Sequence, residues 1–137
     1  GLSKFFEVGH SKSQSQIVCT LAYMSPEVIK GGKYDAKTDV YSFAILMFEV
    51  LTDLVPYPDL EKGSLTDFDF RIKVVNENYR PKFSYQIKDS LMELIENCWA
   101  ADPDERPNFG QIFKVLILFD GNYPNSFSFR FQIVINC

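Results

Sequence analysis

The stretch from Val40 to Leu51 constrains the fold more than any other part of the chain. Ten of its twelve residues are apolar or Tyr, and only Ser42 and Glu49 interrupt it. A helix that is apolar all round has no face to offer water, so it must be enclosed by protein. A buried strand is the competing assignment, but the run exceeds the roughly 5–6 residues of a usual strand. We therefore expect a central helical post, with Asp35 as a plausible N-cap ahead of Ala36-Lys37-Thr38-Asp39.

Enclosing a post takes further helices, and the flanking sequence supplies their start and stop signals. Ser25-Pro26-Glu27 opens a short one: Ser25 can cap, Pro26 suits the first helical position, and Glu27 favours the positive helix end. Gly31-Gly32 stops it. Thr52 to Ser64, with Pro56, Pro58 and Gly63, reads as a loop. Thr66–Val75 is a shorter helix carrying Phe68, Ile72 and Val75 on one face, and Arg80-Pro81 breaks the chain after it. Tyr85–Trp99 is the best amphipathic helix, with Ile87, Leu91, Leu94, Ile95 and Cys98 in register. Asp102-Pro103 and Arg106-Pro107 mark a turn. Asn108 then caps a last helix to about Leu118, with Phe109, Ile112, Phe113 and Leu116 facing inward. Beyond Asp120-Gly121-Asn122, residues Phe127 to Ile135 alternate in a strand-like way. The expected class is mainly α, with an irregular or strand-like C-terminal tail over residues 119–137.

Composition removes several function classes. The 137 residues amount to one domain, or to part of a larger one. Basic residues number 14 against 18 acidic and are scattered without a stripe, which argues against nucleic-acid binding. Cys19, Cys98 and Cys137 form no CxxC pair, so free thiols are expected, with neither a zinc site nor a disulfide framework. The N-terminal residues lack an apolar core, and the longest apolar run is too short to span a bilayer. A cytoplasmic protein without a membrane span is the expectation.

Three stretches resemble the C-terminal lobe of a eukaryotic protein kinase. Thr20-Leu21-Ala22-Tyr23-Met24-Ser25-Pro26-Glu27 resembles the T-x-x-Y-M-A-P-E end of the activation segment. Asp39-Val40-Tyr41-Ser42-Phe43-Ala44-Ile45-Leu46 resembles D-V-W-S-F-G-I-L on the central helix. Cys98-Trp99, Asp102-Pro103, Arg106-Pro107, Phe109 and Ile112 resemble C-W-x-x-D-P-x-x-R-P-x-F-x-x-I. Their order and spacing are those of the family. Gly1-Leu2-Ser3-Lys4 is similar to the end of D-F-G-L-S-K, which would make Gly1 the glycine of that motif and place the magnesium-binding Asp two residues upstream. The likeness runs to about residue 118. The threonine-containing Thr20–Met24 loop resembles the Ser/Thr-specific form, whereas Cys98-Trp99 and Asp39–Leu46 are tyrosine-kinase-like in style. Together they resemble the tyrosine-kinase-like group, most of whose members phosphorylate Ser and Thr. The sequence departs from the pattern at Cys19, where Gly is usual, at Ser25 for Ala, at Ala44 for Gly, and at Asp53, where Gly often follows the central helix.

The resemblance implies a part in phosphorylation of protein Ser/Thr and in signal transduction. Thr20, Leu21, Ala22, Tyr23 and Met24 would receive the substrate residue after the phosphoacceptor. Glu27 would pair with Arg106, Asp39 would hold the backbone of the catalytic loop, and Trp99 would fill the core beside the post. ATP and magnesium are implied for a complete kinase. Phosphoryl transfer needs a Gly-rich loop, a strand lysine, a catalytic Asp and magnesium-holding Asn and Asp. None of these motifs occurs here, and His10 sits in a polar loop without a carboxylate at motif spacing, so no catalytic, cofactor-binding or metal residue is nominated. Ser3, Ser11, Ser13 and Ser15 fall in the stretch resembling the activation segment, but read best as ordinary loop serines. The expected partners are a protein substrate or the N-terminal portion of a kinase. The alternative is a stand-alone, non-catalytic protein-binding module of pseudokinase type.

Overall fold

The computed structural model describes residues 20–120, which contain helices and no strand. The helices are α1 Pro26–Ile29, α2 Ala36–Thr52, α3 Pro58–Glu61, α4 Asp67–Asn76, α5 Asp89–Cys98 and α6 Phe109–Asp120, with a 3-10 turn at Pro103–Glu105. Gly1–Lys4, Cys19, the loop serines and the strand-like Phe127–Ile135 lie outside the described residues.

Helix α2 is the central post. From Val40 through Thr52 no residue is exposed. Its start is fixed by a reciprocal box: the Asp35 carboxylate accepts from the Thr38 N–H at 3.0 Å, and the Asp35 N–H donates to Thr38 Oγ1 at 3.3 Å. It ends at Asp53, which adopts the left-handed conformation (φ 58°, ψ 26°) and donates its N–H to Glu49 O. This is the backbone state for which glycine is usually recruited, held here by a short polar residue.

The main core forms where α5 crosses α2 and α6 closes the other side. Leu91, Leu94, Ile95 and Cys98 of α5 are buried against Val40, Tyr41, Ala44, Ile45, Met47 and Phe48. Helix α5 starts at Asp89, four residues later than the periodicity predicts. Tyr85 instead sends its hydroxyl across to donate to Thr52 O at the end of α2, and Ile87 is only partly buried. Asn108 and Gln111 cap α6 reciprocally, each backbone N–H donating to the other's side-chain oxygen at 2.9 Å. The helix runs through Asp120 and buries Ile112, Leu116 and Phe119. Phe113, expected to point inward, is half exposed, its ring laid against Phe43 and Phe109.

A second, smaller cluster joins α1, α3 and α4 through Leu21, Tyr57, Leu60, Phe70 and Val74. The expected face of α4 is corrected here: Phe70 and Val74 are buried, while Phe68 is 70% exposed and Ile72 lies outside too. The stretch Phe68, Phe70, Ile72, Val74 alternates along the chain, so it offers a helix two candidate apolar faces. The one chosen is the one that Leu21 and Tyr57 cover. Thr66 caps α4 by accepting from the Asp69 N–H at 3.1 Å. Ser25 sits at the N-cap of α1 but, contrary to expectation, its hydroxyl makes no capping bond, and Pro26 in the first turn supplies the start signal alone. Gly31 (φ 88°) and Gly32 stop α1 as expected. A side chain at Gly32 would begin 2.7 Å from Glu27 O, which already accepts the Gly32 N–H.

Candidate functional site

The segment from Thr20 to Met24 is held to the scaffold by three different means. Leu21 is 1% exposed, driven into the second cluster by burial of its apolar surface. Ser42 Oγ, in the middle of α2, donates to Tyr23 O at 2.8 Å. The Tyr23 hydroxyl donates to Glu49 Oε1, seven residues further along α2. Two turns of the post therefore position one tyrosine at both its carbonyl and its phenol. Ala22 and Met24 pack partly buried against the second cluster, and Thr20 lies at the surface. Burial pushes the Glu49 carboxyl above its usual range; the Tyr23 hydrogen bond works the other way and the nearby Glu61 charge adds to the rise. Ser42 and Glu49 are the two polar interruptions of the apolar run. That was the available signal for their role, which sequence reasoning did not assign.

Directly behind this segment, Glu27 and Arg106 form a two-pronged ion pair across 79 residues of chain. Arg106 Nη1 donates to Glu27 Oε1 at 2.6 Å and Nη2 to Oε2 at 2.9 Å. The guanidinium side chain is fully buried and the carboxylate side chain is 23% exposed. Arg106 also donates from Nε to Ala100 O and from Nη1 to Lys37 O, both at 2.9 Å. Lys37 Nζ returns the contact by donating to Arg106 O, and Thr38 Oγ1 adds a long 3.4 Å bond to Glu27 Oε1. Burial alone would raise the Glu27 carboxyl, but hydrogen bonds from Arg106 and the local backbone, with the guanidinium charge, bring it below its ordinary value.

The remaining motif residues fall around this clasp. Tyr41, in the first half of α2, has two guanidinium carbons, those of Arg80 and Arg106, each 5.1 Å from its ring centroid. Arg80 Nε donates to Trp99 O at 2.9 Å while Arg106 Nε takes the next carbonyl, so two arginines grip the C-terminal end of α5. Trp99 fills the core with its ring beside Phe48 and Phe83. Asp39 stands in the first turn of α2 with its side chain exposed, and among the described residues its carboxylate accepts no hydrogen bond. Cys98 is a buried free thiol whose pKa burial pushes up to about 12, far from a reactive thiolate. Among the described residues no group of three or more His, Cys, Asp or Glu is placed to hold a metal ion, and no helix is long and apolar enough to cross a membrane. The arrangement presents a segment braced by a post and a clasp.

Residues 1–116 match the family described as protein tyrosine and serine/threonine kinase. The chain is 40% identical over 97 residues to the serine/threonine-protein kinase STY17 of Arabidopsis thaliana, covering 71% of this chain and 16% of that protein. It is 34% identical over 114 residues to the dual specificity protein kinase pyk3 of Dictyostelium discoideum, covering 83% of this chain and 8% of the relative. With the serine/threonine/tyrosine-protein kinase HT1 of Arabidopsis thaliana it shares 36% identity over 101 residues, covering 74% of this chain and 25% of the relative. The chain thus spans a quarter or less of the length of these relatives.

Proposed function

Because the chain belongs to the protein tyrosine and serine/threonine kinase family, we propose that it forms the substrate-holding part of a kinase that moves the ATP γ-phosphate to Ser or Thr of a protein. The family match over residues 1–116 is the observation that carries this reading. In it, Thr20 to Met24 receive the residue that follows the phosphoacceptor, and the tie of Tyr23 to Ser42 and Glu49 keeps that receiving surface in place. The Glu27–Arg106 clasp fixes the segment's downstream end to the turn before α6. Such positioning is a large share of what a protein contributes to phosphoryl transfer, because the reaction leaves little covalent chemistry for the enzyme.

ATP, magnesium and the catalytic Asp belong, in this proposal, to sequence upstream of Gly1. Asp39, which is exposed, would in this reading hold the backbone of the family's catalytic loop. Thr20 and the absence of a proline-type loop support Ser/Thr over Tyr as acceptor. The test has two arms. The coding sequence upstream of Gly1 is read for Asp-Phe, H-R-D and a strand lysine. The 137-residue chain and an upstream-extended polypeptide are then compared for transfer of labelled phosphate to a basic protein substrate. Transfer by the extended form alone supports the proposal. An upstream sequence lacking these motifs favours a non-catalytic binding module, and Mg-ATP affinity of the chain alone by calorimetry refutes the assignment of nucleotide binding to the missing part.

A further inference from the structure

Helix α6 is apolar on more sides than the described residues cover. Eight of its twelve residues are Phe, Ile, Leu or Val, and only Gln111, Lys114 and Asp120 have polar side chains. One side, with Ile112, Leu116 and Phe119, is buried in the main core. The other side carries Phe113, Ile117 and Leu118, which are 49%, 70% and 74% exposed. Phe113 lies against the rings of Phe43 and Phe109, with centroids 6.4 and 6.0 Å away, so the apolar surface continues onto α2. A helix apolar all round needs protein on every side. Helix α2 meets that condition; α6, within residues 20–120, does not.

Residues 121–137 follow α6 directly and have the composition to cover it. Arg130 is their one charged side chain, and Phe127, Phe129, Phe131, Ile133 and Ile135 put an apolar residue at every second position. In extended chain these five share one side, about 6.6 Å apart. Phe113 and Ile117 stand about 6 Å apart along the α6 axis. Two apolar rows of nearly equal repeat can lie side by side. The connection is long enough, since Gly121 to Ser126 reach up to about 20 Å, against roughly 10 Å from Asp120 back to Phe113. Gly, Asn and Pro within it suit a reversal. We propose that residues 127–135 fold back along α6 and cover Phe113, Ile117 and Leu118 with this apolar row. A second copy of the chain is the rival occupant. The short tether argues against it, because it holds the segment at an effective concentration in the millimolar range. The same contact removes the association hazard of a bare apolar row, and it stands apart from any role in phosphoryl transfer.

Photo-cross-linking in the whole 137-residue chain tests this contact. Phe113 is replaced by benzoylphenylalanine, and the chain is irradiated together with an equal amount of unsubstituted, isotope-labelled chain. Peptide mass spectrometry then locates the new bond. The expected product joins position 113 to residues 127–135 of the same chain. A bond to any other part of the chain, a bond to the labelled copy, or no bond while Trp99 emission stays native overturns the proposal. A second measurement leaves Phe113 in place. Phe129→Asp combined with Phe131→Asp puts two charges into the covering row, and the emission of a dye that lights up on exposed apolar surface is compared with that of the unmodified chain. Emission is expected to rise severalfold as the α6 patch is uncovered. Unchanged or lower emission, the result of merely deleting two exposed rings, overturns the proposal.

Discussion

Arg106→Ala and Glu27→Ala remove opposite halves of one clasp, yet the structure makes their costs unequal. Glu27→Ala leaves a fully buried guanidinium that keeps its bonds to Ala100 O and Lys37 O and loses both bonds to carboxylate. Stranding a buried charge in this way costs about 3–5 kcal/mol, and the two surviving bonds place it toward the lower end. Arg106→Ala leaves a carboxylate that water can reach, but it also takes the donor from Ala100 O at roughly 1–3 kcal/mol and empties the largest fully buried side chain. We expect Arg106→Ala to cost more, about 5 kcal/mol or above once cavity formation is included. Trp99, the only tryptophan, is buried next to Ala100, so its emission reports the site during urea unfolding. With a slope of about 1–3 kcal/mol per molar urea, the midpoint should fall by more than about 1 M in both variants and further in Arg106→Ala. Shifts below about 0.3 M, or the reverse order, would falsify the reasoning.

Other expectations follow from the titrating groups and the backbone. The folded Glu27 carboxyl lies below its unfolded value, so its contribution is present above the unfolded pKa and lost as pH falls through the folded one. Glu49 is raised and has the opposite sign: stability from this group grows as pH falls from above its folded pKa toward its unfolded one. Glu49→Gln should therefore raise the melting temperature at pH 7 and steepen the acid-side loss, the Tyr23 hydroxyl still having an amide oxygen to donate to. A lower melting temperature at pH 7 counts against this. Asp53→Gly should add about 0.5–1 kcal/mol by relieving a left-handed residue, read as a higher urea midpoint with unchanged slope. Cys98 should resist iodoacetamide in the native chain at pH 8 and react only in urea, as followed by peptide mass spectrometry; rapid native labelling would contradict its burial.

What could be seen in the sequence was whatever a local pattern decides. The α2 post announces itself because an all-round apolar helix admits one environment, and the Asp35 and Asn108 caps because a cap is settled within four residues. The clasp was legible only through the family resemblance, since no periodicity links positions 27 and 106. The buried side of α4 was not legible, because Leu21 and Tyr57, which cover Phe70 and Val74, come from distant parts of the chain. The late start of α5 has the same origin, as the Tyr85 hydroxyl finds its acceptor on another helix. Arg80 carried no signal of its own, its partners being carbonyls with no sequence signature.

The same Glu27–Arg106 contact makes the intervening polypeptide a circuit held shut without a covalent bond. Gly63 and Ser64, at an exposed bend within that circuit, offer a site for a protease. A single cut there would leave two pieces still fastened by the ion pair and by both hydrophobic interfaces, so nicked material should migrate as one particle until denaturant opens it.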